Sequence, residues 1–363
     1  MQIPLIKPTL PPIENYLEYM KTIWNTHQLT NNGEYLHELE RNLKCYLEVP
    51  DLALVANGTL ALQLAIRSLD LTGEILTTPF TFPATTNAII SEGCIPVFLD
   101  IDPETFTLDP REIEKKITSK TSAILAVHTF GNPSWCETLE HLAKKHNLKL
   151  IFDAAHAFGV KYLDKPVLNY GDISILSFHA TKVFNTIEGG AIISNNPEIQ
   201  EKIRLLRNNG IKSEEEVLLP GTNAKMTEFN AIMGLLNLKT IDSTISRRRD
   251  IYSKYIEELS VIPGIQFQYL TTQDYNYSYM PILLPDNKQR DSLFLYLNIH
   301  NIKTRKYFYP LTSDLPYTRQ YSSDTDLSIA RDISNRVLCL PIYPTLSEME
   351  QNIIIDRILR FCE

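Results

Sequence analysis

Between residues 50 and 195, short apolar runs alternate with longer stretches in which apolar positions recur every three or four residues. The short runs are DLALVAN, GEILTTPF, IPVFLDI, AILAVHTF, LKLIFDA, DISILSF and GGAIIS, seven strand candidates set off by flanking punctuation. Several are apolar on both faces, as buried parallel strands are. Helices are predicted between some of them: TLALQLAIRSL follows the first, and ETLEHLAKKHNL carries Leu139, Leu142, Ala143 and His146 on one stripe. That alternation predicts an α/β sheet covered on both faces. His146 reads as a core or edge residue of its helix, not a ligand.

From 227 to 260 the pattern turns helical over a length that bridges two domains. Beyond it come the strand-like YSYMPILL, the segment NIKTRKYFYP, and a last helix opened by a Ser347/Glu350 capping box, with Ile354, Ile358 and Phe361 at helical spacing. The expected organisation is an N-terminal arm at 1–30, a large domain at 31–240 and a smaller α+β domain at 241–363. A length of 363 residues agrees with two domains, since one hydrophobic core rarely serves so long a chain.

The hydrophobic share of 44% and charged share of 21% are those of an ordinary folded protein. A net charge of -8 gives no electrostatic footprint for nucleic acid. The one basic run, Arg247-Arg248-Arg249, reads as a solvated helix face or a local anion contact. Cys45, Cys94, Cys136, Cys339 and Cys362 are scattered, with no CxxC and no histidine at zinc spacing, so reduced thiols and no metal site are expected. Prolines interrupt the first residues where a signal peptide needs an apolar core, and no stretch approaches the ~20 apolar residues of a membrane span. A cytoplasmic protein with no membrane partner is the expectation.

Chemistry enters at SFHATKVFNTIEGGAI, residues 177–192, where Lys182 lies between two apolar runs. Near burial an amine loses its proton more readily and becomes a nucleophile able to form a Schiff base; a structural ammonium held by a carboxylate is the competing role. Three further segments suit one ligand. Asn57-Gly58-Thr59 lies at a strand-to-helix junction, where unpaired N–H groups receive phosphate, although Thr59 would equally serve as a plain N-cap. Asp153, followed by His156, ends a buried strand, where it would hold a protonated pyridine nitrogen or cap the next turn. Phe80 and Phe82 follow another strand between Pro79 and Pro83, as stacking plates or as core. Together these are the parts of a pyridoxal 5'-phosphate (PLP) site.

SFHATKVFNTIEGGAI, DAAHAFG, ANGTLAL, TFPATTNAI and GTNAKMTEFNAIMGL together resemble the DegT/DnrJ/EryC1/StrS family of nucleotide-sugar aminotransferases, over nearly the whole chain. The resemblance implies the PLP-dependent transferase fold type I, aspartate aminotransferase-like: a large domain with a mostly parallel seven-stranded sheet and a smaller C-terminal α+β domain. It implies a homodimer with shared active sites. By the same resemblance Lys182 is the Schiff-base lysine and Asp153 the partner of the pyridine nitrogen. His156 lies by the phenolic oxygen, Phe82 stacks on the ring, and Gly58, Thr59 and Ser177 hold the phosphate together with Asn223 of the neighbouring subunit. Lys225 stands where many members have Arg, and Thr312 where many have His.

The lysine motif looks more like that of the family's 4-aminotransferases than that of its 3-aminotransferases. This implies L-glutamate as donor and dTDP-4-keto-6-deoxy-D-glucose as acceptor, feeding a surface polysaccharide; a C3 aminotransferase is the alternative. Lys303, Arg305, Lys306 and the Arg247–Arg249 run are the cations available to the diphosphate. Dehydratases of the family replace the lysine with His, which this chain does not. A catalytically idle scaffold is disfavoured by the intact motifs, and a nicotinamide dehydrogenase by the absence of GxGxxG among 13 glycines.

Overall fold

The computed structural model describes residues 2–321 and 325–362; residues 1 and 363, at the ends of the expected arm and C-terminal domain, and residues 322–324 lie outside it. Each of the seven runs forms a strand: β1 (Leu52–Val55), β2 (Glu74–Thr77), β3 (Ile95–Phe98), β4 (Thr121–Val127), β5 (Lys149–Asp153), β6 (Ile173–Ser177) and β7 (Gly190–Ile193). They make one sheet in the order β1-β7-β6-β5-β4-β2-β3. Neighbours from β3 through β6 are parallel, while β7 runs antiparallel to both β6 and β1. The fold class is therefore α/β with a mostly parallel sheet.

Both faces are covered. The helix Gly58–Ser68 packs Ala61, Leu64 and Ala65 against Val55, Ile75, Ile151, Ile175 and Ile192. On the other face, the helix Cys136–Lys145 sets Leu139 and Ala143 against Leu76, Ile124, Leu150 and Phe152. This double burial is why the strands other than β3 are largely apolar and do not alternate, while β3, at the edge, leaves Ile95 exposed. His146 caps that helix at the edge of the layer, 2.7 Å from the Glu114 carboxylate.

Backbone groups at the β1 end are met by side chains from two helices. Glu40, on the helix Glu34–Tyr46, accepts from the Leu54 N–H at 3.0 Å and from Arg207 at 2.8 Å, while Arg207 donates to the Leu54 carbonyl at 2.7 Å. Arg204 donates to the Leu52 carbonyl at 3.1 Å.

The stretch from 227 to 260 is two helices, Glu228–Leu238 and Ile241–Leu259, not one. At the break the Thr240 hydroxyl donates to the Asn237 carbonyl, the group that a continuing helix would offer to the residue 241 amide. Beyond it, β8 (Gln266–Phe267), β9 (Met280–Leu283) and β10 (Val337–Leu340) form an antiparallel sheet. The helices Ile241–Leu259, Asn287–Ile299 and Glu348–Cys362 cover it through Tyr255, Leu259, Leu293, Leu297, Ile354 and Ile358. The last helix carries its capping box: the Ser347 N–H donates to Glu350 Oε2 at 2.9 Å, and the Glu350 N–H to Ser347 Oγ at 3.2 Å.

The segment NIKTRKYFYP is largely irregular but pinned, since Arg305 and Cys339 exchange backbone bonds of 3.2 and 2.8 Å. The first residues run along this C-terminal layer, Ile3 bridging Ile302 and the Leu5 carbonyl accepting from Ile342. A helix follows, Ile13–Thr26, whose Ile23 packs on Ile232 and Leu236. Two members of the arginine run depart from a solvated face, while Arg249 stays exposed. Arg248 is buried, donating to the Tyr277 and Ser278 carbonyls, and Arg247 donates to the Leu346 carbonyl. These are loop carbonyls without ladder partners, and a guanidinium satisfies them.

All five cysteines are unpaired. Among the described residues no helix is long and apolar enough to cross a membrane, and no group of three or more His, Cys, Asp or Glu is placed to hold a metal ion.

Candidate active site

A cavity of about 430 Å³ opens where β1, β2, β4, β5 and β6 end at their carboxyl termini, the side on which open α/β sheets present ligand sites. Gly58, Thr59, Phe82, Asp153, His156, Ser177 and Lys182 all line it. The far wall comes from the C-terminal region, through Tyr279, Arg305, Tyr307 and Phe308. Asn223 is not in this lining; it is exposed, and its side-chain oxygen accepts from Lys225 at 2.8 Å.

The anion-binding end is built by the start of the helix Gly58–Ser68. Asn57, not Thr59, is the N-cap, its Oδ1 accepting from the Leu60 N–H at 2.8 Å. The Gly58 and Thr59 amides thus belong to the first turn, where no intrahelical acceptor exists. A Cβ on Gly58 would come within 2.8 Å of Ser177 Cβ, so glycine is what lets the end of β6 close against the helix. Helix terminus, Thr59 and Ser177 together form a cradle for an anion such as phosphate.

At the sheet's centre, Asp153 is buried. Its Oδ2 accepts from the Thr85 hydroxyl at 2.7 Å and its Oδ1 from the Ala155 N–H at 3.1 Å. Thr85 is in turn 2.8 Å from Thr81 Oγ1. Burial pushes the Asp153 carboxyl above its ordinary range, opposed by these donors and by the positive charge of Lys182. A cation set against Asp153 would bring it down again.

Lys182 follows β6, half-buried in the cavity, and among the described residues its amine has no carboxylate within ion-pair distance. The competing role, an ammonium clamped by a carboxylate, is therefore not what the fold provides. Burial draws its ammonium down to about 8, with Asp153 acting weakly against the shift. Near neutrality a useful fraction of the amine is unprotonated and nucleophilic.

His156 stands edge-on to Tyr279, with Nε2 3.4 Å from the tyrosine hydroxyl, and lies parallel to Phe308. Its Nδ1 is buried without a partner. Burial holds the ring neutral, well below the ordinary histidine range. The two phenylalanines divide: Phe80 is core, edge-on to Phe106, Phe130 and Phe308, whereas Phe82 is 49% exposed and offers its ring to the cavity.

Thr312 is buried outside the cavity, donating to the Pro79 carbonyl at 3.1 Å and accepting from Thr86 at 3.0 Å, so it braces the loop behind the wall. Thr81, Thr85 and the aromatic wall were not singled out from sequence. Thr85 had a signal, a hydroxyl in the first turn of the helix after Pro83. Tyr279, Tyr307 and Phe308 had none, among 18 tyrosines and 14 phenylalanines.

The sequence profile of the DegT/DnrJ/EryC1/StrS aminotransferase family matches residues 13–359. The chain is 43% identical, over 344 residues covering 94% of each sequence, to a dTDP-4-amino-4,6-dideoxy-D-glucose transaminase of Shigella dysenteriae. Its fold superposes on DesI, solved in the presence of its TDP-sugar product, with a TM-score of 0.93 at 32% identity, covering 99% of this chain and 93% of the other. NtdA of Bacillus subtilis, solved with bound cofactor PMP, superposes with a TM-score of 0.90 at 27% identity, covering 96% and 82%.

Proposed function

Because the chain belongs to the DegT/DnrJ/EryC1/StrS aminotransferase family, we propose that it transfers an amino group from L-glutamate to the C4 keto group of dTDP-4-keto-6-deoxy-D-glucose. The products are dTDP-4-amino-4,6-dideoxy-D-glucose and 2-oxoglutarate, the sugar being destined for a surface polysaccharide. The cofactor of this family is PLP, and the residues present fit it. The Gly58 cradle suits its phosphate, the buried Asp153 its ring nitrogen, the unpartnered His156 Nδ1 its phenolic oxygen, and the exposed Phe82 ring its flat face. When bound, PLP supplies an aldehyde carbon that exchanges amines and a ring that takes up an electron pair from the donor's α-carbon.

The chain's own groups do the rest. Asp153, held by Thr85 and Ala155, would keep the proton on the ring nitrogen. Lys182 Nζ would take the proton from the donor's α-carbon and return it on the acceptor side, a base whose affinity near 8 suits both directions. His156, neutral by burial, would steady the phenolic oxygen without adding charge.

Shared sites in a homodimer belong to the same proposal. Ile13, Leu17 and Trp24 stand exposed on the first helix, at 61%, 46% and 64%, and Asn223 is exposed outside the lining of its own cavity, where it is free to serve a second copy. The observation that carries the reading is Lys182 beside a buried Asp153 with no carboxylate clamping its amine. Lys182→Ala should abolish transamination of the dTDP keto sugar, measured by product chromatography, while keeping the far-UV spectrum and an affinity for PMP. Turnover in that variant refutes the assignment.

A further inference from the structure

Transamination empties and refills one cavity in two half-reactions, so donor and acceptor must use the same space in turn. Both are anionic: the amino acid through carboxylates, the nucleotide sugar through its diphosphate. The cavity must offer a cation that serves each and holds neither permanently.

Of the six candidate cations that sequence supplied, four are engaged elsewhere, and Arg249 is exposed and outside the cavity lining. Lys303 donates to Asn298 at 3.0 Å and Lys306 to Asp291, while Arg247 and Arg248 donate to backbone carbonyls. Arg305 lines the same cavity as Lys182, and no carboxylate lies within ion-pair distance of it among the described residues. Its backbone is fixed by two hydrogen bonds to the backbone of Cys339, and its guanidinium lies 4.1 Å from the centre of the Tyr307 ring, which orients the planar fork without neutralising it. Glu188, the other carboxylate of the lining besides Asp153, pairs loosely with His179 at 3.6 Å.

Resting on the aminotransferase reading, we infer that Arg305 is a shared anion receptor, holding a donor carboxylate in one half-reaction and the acceptor diphosphate in the other. The fork matches either group in bidentate fashion. Because one guanidinium cannot serve both at once, donor and acceptor exclude each other, which keeps the half-reactions in alternation.

The test uses the PLP-loaded protein and calorimetric titration with 2-oxoglutarate and with dTDP. In the wild type, saturating 2-oxoglutarate should weaken dTDP binding. Arg305→Gln should weaken each ligand at least about tenfold, the loss of one charge-assisted pair, and abolish their competition. Arg305→Lys should recover part of both affinities. Melting temperature and PLP retention should not move, and Lys303→Gln should match the wild type. Loss of only one affinity, independent binding of the two ligands, or no binding to the wild type would each overturn the inference. The absorbance change on adding L-glutamate to the wild type reports separately on the aminotransferase reading, since the titrations require no turnover.

Discussion

Lys182 carries a pH dependence whose sign follows from burial. Its folded-state affinity is drawn from the ordinary 10.5 to about 8, so the neutral amine grows with pH across that value. Capture of PLP by the apoprotein, followed by visible absorbance, should accelerate between pH 7 and 9 and level off above; a rise only near pH 10.5 would mean that the amine is solvated. Asp153 depends on Thr85, and Thr85→Val should lower turnover about tenfold by removing a hydrogen bond to a buried carboxylate, while Asp153→Asn should cost ~10²–10⁴. The residues with distinctive chemistry, a lysine between apolar runs or an aspartate ending a strand, were legible in the sequence. Lys225 and Thr312 were legible only as departures, and the fold moves Thr312 out of the cavity altogether.

At the scale of elements, the seven strands were readable because burial on both faces removes the ambiguity of alternation, and Gly, Pro and Asn mark their ends. The first helix was not, because Tyr16, Tyr19 and Ile23 face the core while Ile13, Leu17 and Trp24 face outward, so that apolar residues stand on both sides and no single stripe is read. The division of 227–260 was hidden for a different reason: at the break the Thr240 amide and hydroxyl both donate to the Asn237 carbonyl, and no periodicity records those bonds. The helix Gly58–Ser68 joins element to function, since its N-terminus both ends a packed helix and lines the cavity. Asn57→Ala should cost about 1 kcal/mol in chemical denaturation through loss of the cap. Gly58→Ala should instead be felt chiefly in PLP affinity, measured by cofactor retention on dialysis, because its new Cβ meets Ser177 inside the cradle. Equal effects of the two substitutions on affinity would argue against a phosphate site there.

Across the whole molecule, the cavity takes its floor from the large sheet and its far wall from the C-terminal layer, so neither part alone makes the site. The proposed sharing between copies has a statistical signature. Mixing unfolded Lys182→Ala and Asn223→Asp chains and refolding them together should restore roughly a quarter of wild-type sites, because half of the pairs are hybrids and each hybrid keeps one intact site. No recovery, with both variants folded, would leave each chain's site self-contained. The β1 end of the sheet has a consequence beyond catalysis. Strand β1 is outermost, and an outermost strand is a rail on which another chain can lay itself down. Here the amide and carbonyl of Leu54 are already taken by Glu40 and Arg207, so the rail is occupied from within. The pair is a stopper against aggregation, and Glu40→Ala, by freeing the amide and stranding a buried guanidinium, would turn a finished border into a place for a stranger to attach.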